Sequence, residues 1–237
     1  MSEHVRVQEL SEKLAVFCRM IYMEELVDHS GHVSARIPGT TRILVQPRGT
    51  SRAAITGRDF VVTDLEGNLI EGAEEPVSEL PIHTCIYKVR SDVNAVAHLH
   101  PPITTAFTIA GTSLVPCCNQ GALFGGPLDV YPDPTLVRNV AQGEDLARAL
   151  GENVAVLMKG HGAVVTGPSV DACFVACIYL EDNARKQLYA SALGKVIPYT
   201  ADEIERVRDV GWEAKSVQKI WDHYSAKARA SGMLVGA

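Results

Sequence analysis

No two cysteines in this chain have metal-binding or redox spacing. Of the six, Cys117 and Cys118 are adjacent, Cys173 and Cys177 stand one helical turn apart, and Cys18 and Cys85 are isolated in apolar patterns. A cysteine zinc framework is therefore excluded, and reduced, mostly buried thiols are expected. There is no dense Lys/Arg tract and the net charge is -6, which argues against nucleic acid or an anionic membrane surface as the main partner. No apolar run approaches the roughly 20 residues that a membrane span needs. The start, Met1-Ser2-Glu3-His4, lacks the basic-then-apolar layout of a secretory signal, so the expectation is a cytoplasmic protein. Repeats, linkers and low-complexity segments are missing too. What is present is 237 residues, 46% hydrophobic and 21% charged, an ordinary globular composition long enough to bury a full core.

Helical spacing of Val7, Leu10, Leu14, Phe17, Cys18 and Ile21 predicts one amphipathic helix over 3–28, broken at Ser30-Gly31. Short strands over 32–37 and 42–46 follow, and residues 60–63 and 69–70 flank a hairpin-like turn at Leu65-Glu66-Gly67-Asn68. Ser78 reads as the N-cap of a helix over 79–89, with Pro81 tolerated in its first turn. Residues 95–100 read as a buried strand stopped by Pro101-Pro102, and 114–130 as irregular. Helices are expected over 102–110, 135–150, 171–193 and, as a single tract, 203–230, with strands over 154–158 and 163–166. Helices surrounding strands with mostly short, non-alternating connections imply a layered α/β domain with a mixed sheet.

The chemistry concentrates in His98-Leu99-His100. In an extended strand residues i and i+2 point to one face, so both imidazoles can reach one ion. Catalytic metal sites usually take three protein ligands and leave a position open. A third imidazole is available at His161, in Lys159-Gly160-His161-Gly162, and a carboxylate at Glu79, in Pro76-Val77-Ser78-Glu79. Neutral imidazoles would hold the ion without cancelling its charge, leaving it a strong Lewis acid. His83 lies one helical turn beyond Glu79 and could orient it. His32 is either a local strand cap or a group that protonates a carbanion near neutral pH.

Gly31-His32-Val33-Ser34-Ala35-Arg36, Pro76-Val77-Ser78-Glu79, His98-Leu99-His100 and Gly160-His161-Gly162 occur in that order, with 19 residues from Glu79 to His98 and 61 from His100 to His161. Together they resemble the class II aldolase/adducin family. The resemblance implies one domain over 1–237 with a three-layer α/β/α fold around a central mixed, largely antiparallel sheet. It implies one divalent ion per subunit on His98, His100 and His161, with Glu79 as a resting ligand or an acid/base group. It also implies a cyclic homotetramer with active sites at subunit interfaces. Zinc, manganese, cobalt and iron all suit such a donor set.

The departures from the phosphate-handling aldolases are informative. Those enzymes resemble Gly-Asn-Val-Ser at the first motif, where this chain has His32, and Thr-Gly where it has Arg48-Gly49. They carry two serines before the glutamate, where this chain has Val77-Ser78. Arginine presents a planar fork suited to a carboxylate. Arg48, with Ser34 and Ser78, is thus the candidate substrate-binding set, a solvated loop residue being the alternative reading of Arg48. The proton-donating tyrosine of the sugar-phosphate aldolases is missing from Pro116-Cys117-Cys118-Asn119-Gln120, where Asn119 and Gln120 are the aligned residues, and the displaced Tyr131 reads as a packing residue. Trp212 and Trp221 read as packing residues, and His223 and Tyr224 as outside candidates for reaching a neighbouring site. The resemblance therefore points to a lyase: a metal-dependent decarboxylase of a small hydroxylated aromatic or heteroaromatic carboxylate, dihydroxyphthalate-like or hydroxypyridine-dicarboxylate-like. Glu79 and His32 would be its catalytic groups. The alternatives are a class II aldolase acting on a hydroxy-oxo or sugar-phosphate substrate and a non-catalytic adducin-like interaction module.

Overall fold

The apolar run before the double proline forms strand β5 (Ala95–Leu99), and all five of its residues are buried. The structure is a computed structural model and describes residues 3–234, with side chains described throughout except at 3 and 209–211. A strand can be apolar on both faces only where both are covered. β5 pairs antiparallel with β1 (His32–Arg36) on one side and with β8 (Gly162–Gly167) on the other. Beyond β1 lie β2 (Arg42–Val45), β3 (Val61–Asp64) and β4 (Leu69–Glu71); beyond β8 lie β7 (Ala155–Met158) and β6 (Val130–Tyr131). Of these pairings only β6–β7 is parallel, so the eight-stranded sheet is mixed and largely antiparallel, as expected.

The period of two along each strand divides the interior into two layers of core. Ala95, Ala97 and Leu99 pack with α1 (Glu3–Met23), α3 (Pro102–Ala110), α5 (Val170–Leu193) and α7 (Ala214–Ala230). Val96 packs on the opposite face with α2 (Leu80–Val89) and α4 (Val140–Leu150). The result is the three-layer α/β/α arrangement. The register sets His32 opposite His98 and Ser34 opposite Val96, so three polar side chains of the central strands share the face covered by α2.

Several boundaries differ from those read in the sequence. α1 stops at Met23, and Glu25 adopts φ 59, so that Leu26 and Val27 fold into the core and the Leu26 carbonyl accepts from the His100 N–H at 2.9 Å. α2 begins at Leu80 with Glu79, not Ser78, at the cap position. α4 begins at Val140 rather than 135; Asn139 caps it through its side chain, and in the non-helical segment before it the Val137 N–H donates to Glu79. The final tract is two helices, α6 (Ala201–Gly211) and α7, because the chain turns extended at Glu213.

A buried carboxylate fixes the layer behind β5. Glu181 of α5 accepts from the N–H groups of Ile103 and Thr104, both at 2.9 Å, and from the Thr104 hydroxyl at 2.7 Å. These are first-turn donors of α3 that have no partner within the helix. Glu181→Ala strands them in the core, and urea unfolding should show a loss of about 2–4 kcal/mol.

Candidate metal centre

β5 and its continuation deliver the first two imidazoles. His98 Nδ1 lies 3.2 Å from the Ala163 carbonyl oxygen, which can only accept, so Nδ1 carries the proton and Nε2 is bare. His100 is arranged likewise: Nδ1–H donates to Asp28 Oδ1 at 3.2 Å, leaving its Nε2 bare. The two Nε2 atoms are 3.0 Å apart. With no proton to share, two lone pairs at that distance repel, and a cation resolves the conflict. The His161 ring centres lie 4.8 Å and 5.2 Å from those of His98 and His100, and His161 Nδ1 is buried without a hydrogen-bond partner. His98, His100 and His161 offer ligand atoms within 4.8 Å of one another, and so do His32, Glu79 and His98. The donor set therefore fits a divalent ion, and an imidazole oriented by a carboxylate, as His100 is by Asp28, is a recurrent feature of such sites.

Glu79 sits at the junction of the two groups. Its Oε1 accepts from the Val137 N–H at 3.1 Å, while Oε2 lies 3.7 Å from both His98 Nε2 and His32 Nε2. The turns that bring these groups together depend on glycine. A Cβ at Gly162 would overlap the Leu99 carbonyl oxygen, so only glycine lets β8 approach the end of β5 beside His161. Gly31 adopts φ 84 directly over the His98 carbonyl, and Arg52 donates from Nε to the Gly31 carbonyl at 2.9 Å.

Burial disfavours the charged form of four of these imidazoles. Burial lowers the pKa of His98 and His83 well below the ordinary 6.5, and mutual repulsion among the histidines adds to it. His32 and His161 are also lowered by burial, against an opposing pull from Glu79. Burial pushes Glu79 up, but His32 and the Val137 N–H prevail and hold its carboxyl below the usual value. Burial likewise opposes ionisation of Asp28, yet the Ser30 N–H and His100 bring it down to about 2.

Two open clefts reach the rim of the cluster. One of ≈ 550 Å³ is lined by Ser30, His100, Thr105, Leu136 and His161; the other, of ≈ 600 Å³, by Tyr22, Met23, Asp28, His100 and Met233. Both are of a size that holds a small molecule.

Of the residues singled out in the sequence, His32, Glu79, His98, His100 and His161 come together. Ser34 does not face a substrate: it is fully buried and its hydroxyl is engaged by His83 at 2.6 Å and Tyr87 at 3.0 Å. His83 orients His32, at 2.7 Å, rather than Glu79, because α2 starts one residue later than expected and Glu79 turns away from its helical face. Arg48 is exposed beside the Glu79 segment, its N–H donating to the Glu75 carbonyl at 3.0 Å, and among the described residues its guanidinium has no partner. Ser78 is exposed on that same segment. Tyr131 packs in the core, Tyr224 and Trp221 pack on Phe174, and His223 is exposed. Asp28, Arg52, Tyr87 and the Val137 N–H were missed. Asp28 alone left a signal, an acid just before the Gly31-His32 motif.

A family model described as Class II Aldolase and Adducin N-terminal domain matches residues 12–188. The chain belongs to the class II aldolase/adducin family. Class II aldolases use a divalent metal, and the histidine–glutamate cluster is where this chain could bind one. Among its relatives is a 3,4-dihydroxyphthalate decarboxylase of Arthrobacter keyseri, 30% identical over 235 residues that cover 93% of this chain and 94% of the relative. An L-fuculose phosphate aldolase of Methanococcus maripaludis is 28% identical over 178 residues, 75% of this chain and 94% of that one. Among solved structures, an L-fuculose 1-phosphate aldolase from Glaciozyma antarctica PI12 superposes with a TM-score of 0.83 at 23% identity, covering 98% of this chain and 93% of that one. Among the described residues no helix is long and apolar enough to cross a membrane.

Two outcomes follow from this geometry. His100→Ala and His161→Ala should each lose bound divalent metal, measured by elemental analysis after dialysis, because two imidazoles hold an ion poorly. The pH dependence has a fixed sign. A histidine whose native pKa lies below 6.5 binds its proton in the unfolded chain first, so its stabilising contribution is complete above pH 6.5 and is lost as the pH falls. Metal-free protein should melt at lower temperature at about pH 5.5 than at about pH 7.5, with a loss of up to about 1.4 kcal/mol per pH unit for each such histidine.

Proposed function

We propose that the chain is a metal-dependent decarboxylase of a small hydroxylated aromatic or heteroaromatic carboxylate carrying a second carboxylate. The observation that carries this reading is the poverty of the segment that would hold a phosphate. Val77 turns into the core, 4% exposed, and His32 is tied back to His83, leaving Ser78 and the exposed Arg48. A planar guanidinium matches a carboxylate in two-point contact. The full-length similarity to a relative named as a 3,4-dihydroxyphthalate decarboxylase supports the same choice.

A divalent ion held by His98, His100 and His161 supplies Lewis acidity that stabilises negative charge on a substrate oxygen. The chain's own residues do the rest. Glu79, ionised in the free protein, takes the proton of the substrate hydroxyl. Arg48 holds the carboxylate that stays. As the bond to the departing carboxylate breaks and carbon dioxide leaves, Glu79 returns that proton to the ring carbon. The product departs as its hydroxylate and takes one proton from solvent, which closes the balance. His32 Nε2, 3.7 Å from Glu79 Oε2, keeps Glu79 and the substrate oxygens in place.

The same centre could cleave a carbon–carbon bond in a hydroxy-oxo substrate, and the similarity to fuculose phosphate aldolases supports that second reading. A non-catalytic adducin-like module would have no use for the bare lone pairs that His98 and His100 hold 3.0 Å apart. We also propose a cytoplasmic homotetramer. The exposed Tyr189 and Leu193 at the end of α5, and Ile197 just beyond it, are apolar surface that an assembly would cover.

Incubating the metal-loaded protein with ortho-hydroxy aromatic dicarboxylates should release carbon dioxide from at least one. Release of an aldehyde or ketone from hydroxy-oxo substrates instead would assign the aldolase reaction, and failure of every dicarboxylate would end the decarboxylase reading. Arg48→Ala should chiefly raise KM, since its contact is made in ground and transition states alike. His32→Ala should retain the ion and lower kcat about 10²–10³-fold, the usual cost of a lost donor at developing negative charge.

A further inference from the structure

Behind His32 runs a chain of polar groups that the proposed reaction does not itself use. His32 Nδ1 meets His83 Nε2 at 2.7 Å, His83 Nδ1 meets Ser34 Oγ at 2.6 Å, and Ser34 Oγ meets Tyr87 Oη at 3.0 Å. Every member is buried, with exposures of 4% for His32, 0% for His83 and Ser34, and 2% for Tyr87. The chain crosses from β1 to α2 and ends at a phenol whose pKa burial raises far above its ordinary value, so Tyr87 keeps its proton.

Counting donors along this chain fixes its direction. Among the described residues, Ser34 Oγ is the acceptor in reach of the Tyr87 hydroxyl, and a buried O–H left undonated forfeits a hydrogen bond. Tyr87 therefore donates to Ser34. Ser34 has one proton and its remaining partner is His83, so it donates to His83 Nδ1, which must be bare. Neutral His83 then carries its proton on Nε2 and donates to His32 Nδ1. Neutral His32 is left with its proton on Nε2, facing Glu79 Oε2.

We infer that Tyr87, Ser34 and His83 are positioning residues that lock His32 as a neutral Nε2–H donor aimed into the metal centre. The inference rests on the reading of that centre given above and sharpens it. His32, though close to Glu79 and His98, is then not a metal ligand, because its site-facing nitrogen has no free lone pair. It is also not the acid that protonates carbon, since giving up that proton would leave an imidazolate in a buried site. Its Nε2–H points at Glu79 Oε2 from 3.7 Å, too far for a hydrogen bond, and so is left as a fixed donor for a substrate oxygen, while Glu79 alone carries the proton. The same counting divides the histidines: His98 and His100 present bare Nε2 atoms, and His32 presents an N–H.

The test reads tautomers directly. In metal-free protein labelled with ¹⁵N-histidine, NMR at neutral pH should show His32 protonated at Nε2 and bare at Nδ1, with His98 and His100 the opposite; His32→Asn assigns the His32 resonances. Tyr87→Phe removes the group that sets the direction, so His32 should populate both tautomers. In the same variant kcat should fall about tenfold, one hydrogen bond's worth, with KM and bound metal unchanged. Ser34→Ala should have the same effect on the tautomers and serves if Tyr87→Phe folds poorly. A bare Nε2 on His32 in the unaltered protein overturns the inference, as does a single unchanged tautomer in both variants. The tautomer measurement needs no substrate, so a wrong choice of reaction and a wrong assignment of His32 give different results.

Discussion

Two bare imidazole nitrogens 3.0 Å apart, one on a strand buried on both faces and the other just past its end, are the constraint around which this molecule is built. Each is bare because its other nitrogen is spent on an acceptor: His98 on the Ala163 carbonyl, His100 on Asp28. Neither acceptor is local in sequence. Ala163 requires β8 to lie against β5 in one register, which the missing side chain of Gly162 allows. Asp28 requires α1 to stop early and fold back over the end of β5. A sheet slipped by one residue would turn every one of these side chains to the other face. The apolar core thus does more than stabilise; its register decides which lone pairs are free.

Periodicity made much of this legible. The i, i+2 rule placed His98 and His100 on one face, and the double proline marked the strand's end. Motif spacing added His161 and Glu79, and the resemblance added the layers. What stayed hidden was contact between segments that no period links. Ser34 reads in sequence as a hydroxyl near the substrate, yet the strand period that aims His32 at α2 aims Ser34 there too, where His83 and Tyr87 take it up. His83 was paired with Glu79 on helical spacing, but Glu79 is the cap residue and turns out of the helix towards Val137.

The α4 boundary shows why helix patterns overreach at sites. Residues 135–139 could continue a helix by composition, but a helical Val137 would direct its N–H along the helix axis. Outside the helix, it donates to Glu79 Oε1 and fixes the carboxylate with Oε2 towards the histidines. Asn139 then restarts the helix with its own side chain. Local preference gives way where a backbone donor has a tertiary partner. The final tract splits where the chain turns extended at Glu213, between Gly211 and Ala214.

The burial gradient across the centre bears on which reaction it favours. His98, His32 and Glu79 form a dry floor at 0%, 4% and 7% exposure, while His100 and His161 stand at the rim of the clefts and Arg48 in solvent. Charge is costly on the floor and cheap at the rim. Under the decarboxylase reading, the charge of the departing carboxylate passes to the ring carbon and, when Glu79 returns its proton, to Glu79, while the carboxylate that persists stays at the rim beside Arg48. A neutral His32 belongs to the same logic: a second positive charge beside the ion would oppose it, whereas an N–H offers direction without charge.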